Sequence, residues 1–220
     1  MQNNQLRPQR VVIVTGGEIE TGDLQQIHST DWVIGVDGGV VALLNQGIIP
    51  QMAVGDFDTA GAGIYSELLQ RKVRVKKLPR AKGLTDTHYA VEQALALKPK
   101  TIVLLGALGG SRFDHALGNL FLLEKMKLAG VMGVIWSQKS VVRLLVGPEE
   151  VNINASSYSY LSLLPITEQV SGVTLTGFLY PLHQATLRRG DTLGISNEIT
   201  GPRGKIAVKK GKLLVIESKD

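Results

Sequence analysis

The stretch that decides the fold lies at residues 11–17 and has the sequence VVIVTGG, a β-branched run followed by a threonine and two glycines. Residues 32–39, WVIGVDGG, repeat this arrangement, and residues 101–110, TIVLLGALGG, repeat it again. A fourth run, VMGVIW at residues 131–136, closes the series. Continuous apolar runs of this length are typical of strands that are buried on both faces of a parallel sheet. We therefore expect a largely parallel sheet in this half of the chain.

Helical patterns lie between these runs. The segment at 40–46 is followed by a glycine and then a proline, which is a common way for a helix to end. Residues 85–97 begin with threonine, a residue type that caps helices, and residues 113–129 carry apolar side chains at helical spacing. Strands that alternate with helices predict an α/β domain.

The pattern changes near residue 146, where helical spacing disappears. Short apolar or alternating segments follow, separated by turns that contain glycine. Several short strands at roughly even spacing are typical of an all-β sandwich or a small barrel. We therefore predict two domains, an α/β domain at residues 1–146 and an all-β domain at residues 147–220. The strands expected in the second domain lie at residues 158–164, 170–175, 192–196, 205–208 and 213–216.

The composition restricts the class of protein. The chain has 220 residues, of which 44% are hydrophobic and none is cysteine, so it can form a core and has no disulfides. No stretch approaches the roughly 20 apolar residues of a membrane span, and residues 1–8 lack the apolar core of a signal peptide. We therefore expect a cytoplasmic protein with no membrane partner. The net charge of +5 fits a nucleic acid, a phosphorylated ligand or neither.

Two carboxylates are close together in the segment GDFD, as Asp56 and Asp58. If a short strand precedes them, their side chains point the same way, because side chains two residues apart in an extended segment share a face. Two such charges about 4 Å apart repel by about 4 kcal/mol at an effective dielectric constant near 20. A divalent cation would offset this repulsion. The alternative is an ordinary turn, in which Asp and Gly are common.

Three further acids lie at predicted strand ends or helix starts. Asp37 ends the second strand and precedes two glycines, Asp86 begins a helix, and Asp114 follows the glycine-rich segment after the third strand. An acid in the first turn of a helix complements the helix dipole, which explains Asp86 and Asp114 without a ligand. However, ligands of open α/β sheets bind at the carboxyl ends of the strands, and glycine lets a backbone approach them closely. Together the acids favour a ligand site at that edge.

Other motifs narrow the chemistry of this site. Neither a P-loop nor the GxGxxG fingerprint of dinucleotide-binding folds is present, and the lack of cysteine excludes thiol nucleophiles and cysteine-ligated zinc. His115 and Asn119 lie one helical turn apart and are either a pair that lines a pocket or ordinary helix residues.

Seven Lys or Arg residues and no acid occupy residues 71–82. Such a run is commonly the solvated edge of a sheet, where lysine discourages pairing with other strands. Because the run leads into the helix of Asp86, contact between a phosphate and Arg80 or Lys82 is the competing interpretation. Single-stranded nucleic acid needs aromatic stacking platforms, and only 5% of the residues are aromatic, so we expect no nucleic-acid partner.

In their order and spacing, these motifs resemble those of the thiamine pyrophosphokinase family. The motifs of the first half are DGG at 37–39, GIIP at 47–50, GDFDT at 55–59, TD at 85–86 and GALGGSRFDHALGN at 106–119. Those of the second half are VTLTG at 173–177, YPL at 180–182 and GISNE at 194–198. No single motif is specific, but the ordered set is, and it covers nearly the whole chain.

This resemblance implies an ATP:thiamine diphosphotransferase, in which the hydroxyl of thiamine attacks the β-phosphorus of ATP to give thiamine diphosphate and AMP. It implies a homodimer with shared sites, built from a Rossmann-like α/β domain that binds ATP and metal and a C-terminal β-sandwich that binds thiamine. By matching of motifs, Asp56, Asp58 and Asp86 would hold Mg²⁺, and Asp114 would join them as a catalytic residue. The residues matched to ATP or substrate binding are Asp37, Thr59, Lys82, Thr85, Arg112, His115, Asn119, Ser196 and Asn197.

Two residues depart from the usual motifs of the family. Thr59 stands where serine is usual, which keeps the hydroxyl group. Gly83 stands where aspartate is usual, in the segment KGLTD at 82–86, and so removes one acid from the implied metal site. The alternative function is therefore a homologue that binds thiamine or a nucleotide but has impaired catalysis.

Overall fold

The computed structural model describes residues 7–57, 61–79, 81 and 83–220. By its contacts the chain separates into two compact units, Met1–Gln138 and Lys139–Asp220. Four of the residues considered above, Asp58, Thr59, Arg80 and Lys82, lie outside the described residues.

The first unit contains six strands that pair in parallel. They are β1 (Arg10–Val14), β2 (Trp32–Val36), β3 (Met52–Gly55), β4 (Arg74–Lys77), β5 (Thr101–Leu105) and β6 (Met132–Trp136). Their order across the sheet is β4-β3-β2-β1-β5-β6, so the strand order reverses between β1 and β5. This arrangement confirms the expected parallel sheet of a Rossmann-like domain.

Five helices in the described part of this unit connect the strands. They are α1 (Thr21–Leu24), α2 (Gly38–Asn45), α3 (Gly61–Gln70), α4 (Asp86–Ala96) and α5 (Phe113–Leu128). The helices α2, α4 and α5 confirm the three that the sequence predicts, and α1 and α3 are additional. Within the described residues, no helix is both long enough and apolar enough to cross a membrane.

Valine, isoleucine and leucine side chains of the central strands form the core of this unit. Val12 and Leu105 pack with Leu24 of α1 and Leu43 of α2. Ile13, whose side chain points to the opposite face of the sheet, is also fully buried. The helix α4 packs against β1, β2 and β3. Burial of both faces explains why these strands are continuous apolar runs rather than alternating ones.

The second unit consists of two antiparallel sheets. Its strands are β7 (Ser140–Val146), β8 (Glu149–Asn154), β9 (Tyr160–Pro165), β10 (Gln169–Thr176), β11 (Leu182–Arg188), β12 (Arg203–Val208) and β13 (Lys212–Ser218). One sheet has the order β7-β13-β9 and the other the order β11-β10-β12-β8. Buried side chains of both sheets, including Leu145, Leu163, Val173 and Ile206, form one core. The expected β-sandwich is therefore confirmed.

The structure divides the two units between residues 138 and 139, rather than between residues 146 and 147 as the sequence pattern suggests. The reason is β7, which pairs with β13 along its whole length, from Ser140 opposite Ser218 to Val146 opposite Lys212. Four of its seven residues are buried, so its sequence resembles the buried strands of the first unit. Composition alone therefore assigns it to the wrong domain.

Residues 192–196 do not form the strand that the sequence predicts. Ile195 N donates to the Thr192 carbonyl at 3.0 Å in a turn, and Leu163 N of β9 donates to the Gly194 carbonyl at 2.8 Å. A Cβ at Gly194 would lie only 2.6 Å from the Leu163 carbonyl oxygen. The segment thus follows the edge of β9 through a close contact that requires glycine, without regular pairing.

Candidate functional site

A cavity of about 380 Å³ opens at the carboxyl edge of the parallel sheet. It lies where the strand order reverses, because its walls include the segments that follow β1 and β5. Ligands of doubly wound α/β sheets bind at this point. The segment after β2 and the first turns of α4 and α5 complete the walls.

Glycines let the main chain form much of the cavity wall. A Cβ at Gly17 would lie 2.3 Å from the Gly106 carbonyl oxygen, and a Cβ at Gly106 would lie 2.9 Å from the Thr15 carbonyl oxygen. Both distances are far below van der Waals contact, so a larger residue fits only if the backbone shifts. The hydroxyl of Thr15 donates to the Gly106 carbonyl and joins the segments after β1 and β5. The shape of the wall is therefore set by main-chain contacts.

The helix α5 contributes polar side chains to one wall. His115 and Asn119 both line the cavity, as does Arg112 immediately before the helix. Asn119 is buried, and its Nδ2 donates to the Ala107 carbonyl at 3.0 Å, which holds the segment after β5 against α5. Of the two interpretations of His115 and Asn119, the structure supports the one in which they line a pocket together.

Arg112 and Asp114 form an exposed ion pair with two hydrogen bonds. Arg112 Nη2 lies 2.6 Å from Asp114 Oδ2, and Arg112 Nε lies 2.9 Å from Asp114 Oδ1. The side-chain hydrogen bonds from Arg112 lower the pKa of Asp114 to about 2, and the same bonds raise the pKa of Arg112. Of the two side chains, only Arg112 lines the cavity. The structure therefore places Asp114 at the site as the ion-pair partner of Arg112.

Asp37 and Asp56 follow the neighbouring strands β2 and β3. Asp37 lines the cavity, and its carboxylate lies against Gly55, where a Cβ would be 2.2 Å from Asp37 Oδ1. Asp56 is half-buried and comes directly after Gly55. Two of the predicted acids are thus brought to adjacent positions at the carboxyl edge of the sheet.

The start of α4 brings a third predicted acid to the same edge. The hydroxyl oxygen of Thr85 accepts a hydrogen bond from His88 N at 3.1 Å and so caps the helix. Asp86 is half-buried, and the next residue, Thr87, is buried and lines the cavity. The hydroxyl of Thr85 is therefore engaged in holding the helix start that carries Asp86.

The chemistry of these acids fits Mg²⁺. Carboxylate oxygens are the hard ligands that this ion prefers, and Asp56, directly after β3, and Asp86, the first residue of α4, would offer them. The two elements pack together. The third predicted ligand, Asp58, and its neighbour Thr59 lie outside the described residues. In the part of the chain that is described, no three acidic or histidine side chains lie close enough together to hold a metal ion. The complete ligand set stays a prediction.

The basic run at residues 71–82 follows the edge of the sheet. Its strand, β4, is the outermost of the six parallel strands and pairs with β3. Arg71, Lys72 and Arg74 line a separate groove at the amino ends of β2, β3 and β4, away from the carboxyl edge. For this part of the run the interpretation as a solvated strand edge is confirmed. The two phosphate candidates, Arg80 and Lys82, lie outside the described residues.

Ser196 and Asn197 lie in the second unit, beside β9. Asn197 is buried, its Oδ1 accepts a hydrogen bond from Tyr180 N at 3.0 Å, and its Nδ2 donates to the Tyr180 carbonyl at 2.8 Å. Ser196 is exposed, has a φ of 56°, and donates its main-chain N–H to Ser162 Oγ at 3.0 Å. The amide of Asn197 therefore holds the segment together, and the side chain of Ser196 faces solvent.

The cavity wall also contains residues outside the predicted site set, among them Thr15, Gly16, Gly17 and Thr87. The first three have a signal in the sequence, because TGG at 15–17 follows an apolar run just as DGG at 37–39 does. The rule that ligands bind at the carboxyl ends of strands applies equally to both. Thr87 has no such signal, since its place in the wall depends on how α4 packs against the sheet.

Two family models match the chain, one in each unit. Residues 24–134 match the model described as thiamin pyrophosphokinase, catalytic domain, and residues 149–213 match the one described as thiamin pyrophosphokinase, vitamin B1 binding domain. The chain belongs to the thiamin pyrophosphokinase family. The resemblance found in the motifs is therefore confirmed, and the catalytic-domain match contains every predicted site residue of the first unit.

Individual thiamine pyrophosphokinases are similar to the chain over most of its length. That of Bacillus subtilis (strain 168) is 36% identical over 195 residues, which cover 85% of this chain and 87% of that protein. A crystal structure of thiamine pyrophosphokinase from Bacillus subtilis is 35% identical, with a TM-score of 0.88 and coverage of 96% of this chain and 99% of that chain. Thiamin pyrophosphokinase from Candida albicans is 17% identical, with a TM-score of 0.77 over 97% of this chain and 91% of that chain, and shares the fold.

Proposed function

We propose that the protein transfers the pyrophosphoryl group of ATP to the hydroxyl of thiamine, which gives thiamine diphosphate and AMP. The observation that carries this proposal is the cavity at the reversal of strand order in a member of the thiamin pyrophosphokinase family, with Asp37 on its wall and Asp56 and Asp86 at the same edge of the sheet. Phosphoryl-type transfer depends mainly on positioning and on neutralisation of charge, which carboxylates with a metal, cations and main-chain N–H groups supply. Because ATP is the co-substrate, we place this activity in the cytoplasm.

In this proposal the cavity binds ATP. Its volume of about 380 Å³ lies in the range of small-molecule sites. Glycine-rich main chain can approach phosphates closely, and the first N–H groups of α5 favour negative charge. Arg112, oriented by Asp114, supplies a cation on the same wall, beside His115 and Asn119. The other residues proposed to contact ATP are Thr59, Lys82 and Thr85.

We propose that Asp56, Asp58 and Asp86 hold Mg²⁺. The ion, when bound, neutralises charge on the phosphates, which lowers the barrier to attack by an oxygen nucleophile. In the reaction, the thiamine oxygen bonds to the β-phosphorus as the bond from that phosphorus to the α,β-bridging oxygen breaks, and AMP departs with the bridging oxygen. Asp114, with a pKa of about 2, is too weak a base to take the proton of the thiamine hydroxyl. Its proposed part in catalysis is to orient Arg112.

We propose that the second unit binds thiamine and that two copies of the chain form a homodimer with shared sites. The match of residues 149–213 to a vitamin B1 binding domain supports the first part of this proposal. Within that unit, the exposed hydroxyl of Ser196 is the proposed contact with thiamine. Asn197, whose amide is bonded to Tyr180, keeps Ser196 in place.

The test is an assay of AMP release with Mg²⁺, ATP and thiamine. We expect AMP only when all three are present, and release at background level would overturn the proposal. Asp56→Asn should abolish turnover and change the melting temperature little, because the substitution keeps the shape of a half-buried side chain. Glu168→Gln, an exposed acid in the second unit, serves as the matched control with normal turnover. Normal turnover in Asp56→Asn would remove Asp56 from the metal site.

Gly83 favours one alternative, a homologue that binds thiamine or a nucleotide but has impaired catalysis. Gly83 is exposed, and among the described residues no atom lies within 4 Å of where its Cβ would be. An aspartate therefore fits at this position. The alternative predicts that the wild-type protein binds thiamine in calorimetry without turnover and that Gly83→Asp restores AMP release. Turnover by the wild-type protein would dismiss it.

A further inference from the structure

The main chain at Asp37 has a conformation that residues with a side chain seldom adopt. At the junction between β2 and α2, its φ is 48° and its ψ is −117°. A positive φ crowds Cβ against the main chain, and such outliers persist only where the surrounding structure enforces them, frequently at functional sites. Asp37 N donates to the Val54 carbonyl at 3.0 Å, which holds the residue in line with β3.

The carboxylate of Asp37 does not cap the helix that begins beside it. Aspartate is among the preferred N-cap residues because its oxygen accepts a hydrogen bond from the first turn, yet no such bond forms at the start of α2. Instead, the side chain reaches Gly55, where a Cβ would lie 2.2 Å from Oδ1 and 3.2 Å from Cγ of Asp37. The strained backbone and the missing cap together place this carboxylate against the main chain just before Asp56.

We infer that Asp37 is a positioning residue for Asp56. Its contact with Gly55 fixes the course of the chain as it leaves β3, and with it the direction in which the Asp56 side chain points. The inference rests on the proposed function, in which Asp56 is a ligand of Mg²⁺. Asp37 thus acts on the metal through the end of β3, and the strain at its backbone is the cost of directing its carboxylate there.

The variant Asp37→Gly separates this role from a purely structural one. Glycine adopts a positive φ without strain, so the substitution relieves the backbone while it removes the carboxylate. We expect a melting temperature equal to or above that of the wild-type protein. We also expect affinity for Mn²⁺, measured by electron paramagnetic resonance without nucleotide, to fall about ten-fold or more. A side chain that only stabilises the fold would instead lower the melting temperature when removed.

Lys72→Gly is the matched control. Lys72 also has a positive φ, of 58°, and lies at the amino ends of the strands, so its replacement by glycine relieves a positive φ far from the carboxyl edge. We expect a raised melting temperature and unchanged affinity for Mn²⁺. The comparison shows whether weaker binding of Mn²⁺ results from removal of the Asp37 carboxylate or from relief of backbone strain in general.

Gly55→Ala tests the same contact from the other side. The added methyl group collides with Asp37 Oδ1, so we expect a lower melting temperature and weaker binding of Mn²⁺. In Asp37→Gly/Gly55→Ala the colliding oxygen is gone, and the melting temperature should recover relative to Gly55→Ala, while binding of Mn²⁺ stays weak. Such non-additivity is expected of two residues in contact.

Three results would overturn the inference. The first is unchanged affinity for Mn²⁺ in Asp37→Gly, and the second is a wild-type protein that does not bind Mn²⁺. The third is weaker binding of ATP to Asp37→Gly in calorimetry without metal, which would make Asp37 a direct nucleotide contact. None of these measurements requires turnover. A wild-type protein that shows the expected Mn²⁺ pattern but releases no AMP therefore contradicts the proposed function and leaves this inference intact.

Discussion

The ion pair between Arg112 and Asp114 limits what each side chain does in a reaction. A carboxyl with a pKa of about 2 is ionised throughout the neutral range, so Asp114 is neither a proton donor nor an effective base there. Its two hydrogen bonds hold the guanidinium of Arg112 in one orientation at the cavity wall. We therefore propose that the part of Asp114 in catalysis is to orient a cation, and not to transfer a proton.

Titration of the Asp114 carboxyl by NMR should give a midpoint near 2, below the ordinary value of 3.8. Arg112→Gln should return the midpoint to the ordinary range, because the hydrogen bonds from Arg112 are the main cause of the shift. Since the pKa is lowered in the folded state, the pair favours folding above about pH 4, and this contribution is lost as the pH falls through about 2. An ordinary midpoint in the wild-type protein would show that the pair does not form.

The acids of the site could be predicted from the sequence, whereas the contacts that organise them could not. Asp37, Asp56 and Asp86 each follow a strand or begin a helix, and the rule for open sheets places such residues at one edge. By contrast, the bond between Asn119 and the Ala107 carbonyl depends on how α5 packs against the end of β5. The direction of the Asp37 carboxylate could not be predicted either, because an aspartate just before a helix is ordinarily expected to cap that helix.

At the scale of elements, α4 shows how a cap connects helix stability to the site. Thr85 bonds to His88 N at the helix start, and Asp86 and Thr87 are the next two residues. If the cap is lost, the first turn frays and the carboxylate of Asp86 loses its fixed position. Stability and metal binding should therefore respond together to changes at Thr85.

Thr85→Ala should lower the free energy of unfolding by about 1 kcal/mol, measured by urea denaturation. The same variant should need more Mg²⁺ for half-maximal release of AMP, because Asp86 is held less firmly. Thr85→Ser keeps the hydroxyl oxygen and is the matched control, with stability and Mg²⁺ requirement close to those of the wild-type protein. A Thr85→Ala protein of unchanged stability would rule out the cap as an important contact.

The elements that the sequence predicts are those with strong local signals. The buried strands are apolar runs, and α2, α4 and α5 are bounded by glycine, proline or a capping threonine. The helix α3 begins with the sequence GAG, which disfavours a helix, and the edge strand β11 has the largely polar sequence LHQATLR. Such elements are held by neighbours that are distant in sequence, so their own residues do not reveal them.

At the scale of the whole molecule, the excess of positive charge is shared between the two units. Residues 1–138 contain 14 Lys and Arg against 12 Asp and Glu, a net charge of +2, and residues 139–220 contain 10 against 7, a net charge of +3. Part of the basic run at residues 71–82 also lies at the amino ends of the strands, away from the cavity. The net charge is therefore not a marker of the unit that we propose to bind ATP.

This distribution predicts weak binding to nucleic acid. A labelled single-stranded oligonucleotide should form at most a weak complex at about 50 mM salt and none at about 200 mM, since contacts with phosphates alone weaken steeply with salt. Fluorescence anisotropy at the two salt concentrations makes the measurement. A complex that persists at the higher concentration would indicate a nucleic-acid site and contradict the expectation drawn from the low aromatic content.

Because glycine main chain forms much of the cavity wall, few substitutions are available to change which ligand the cavity binds. Mutagenesis exchanges side chains, and a wall of main chain offers few to exchange. Replacement of Gly17 or Gly106 adds bulk where a Cβ would already lie 2.3 Å or 2.6 Å from another atom. A library aimed at a different nucleotide should therefore leave the glycine codons unchanged. It should vary instead positions on the wall that carry a side chain, such as Thr87, Ser111 and His115.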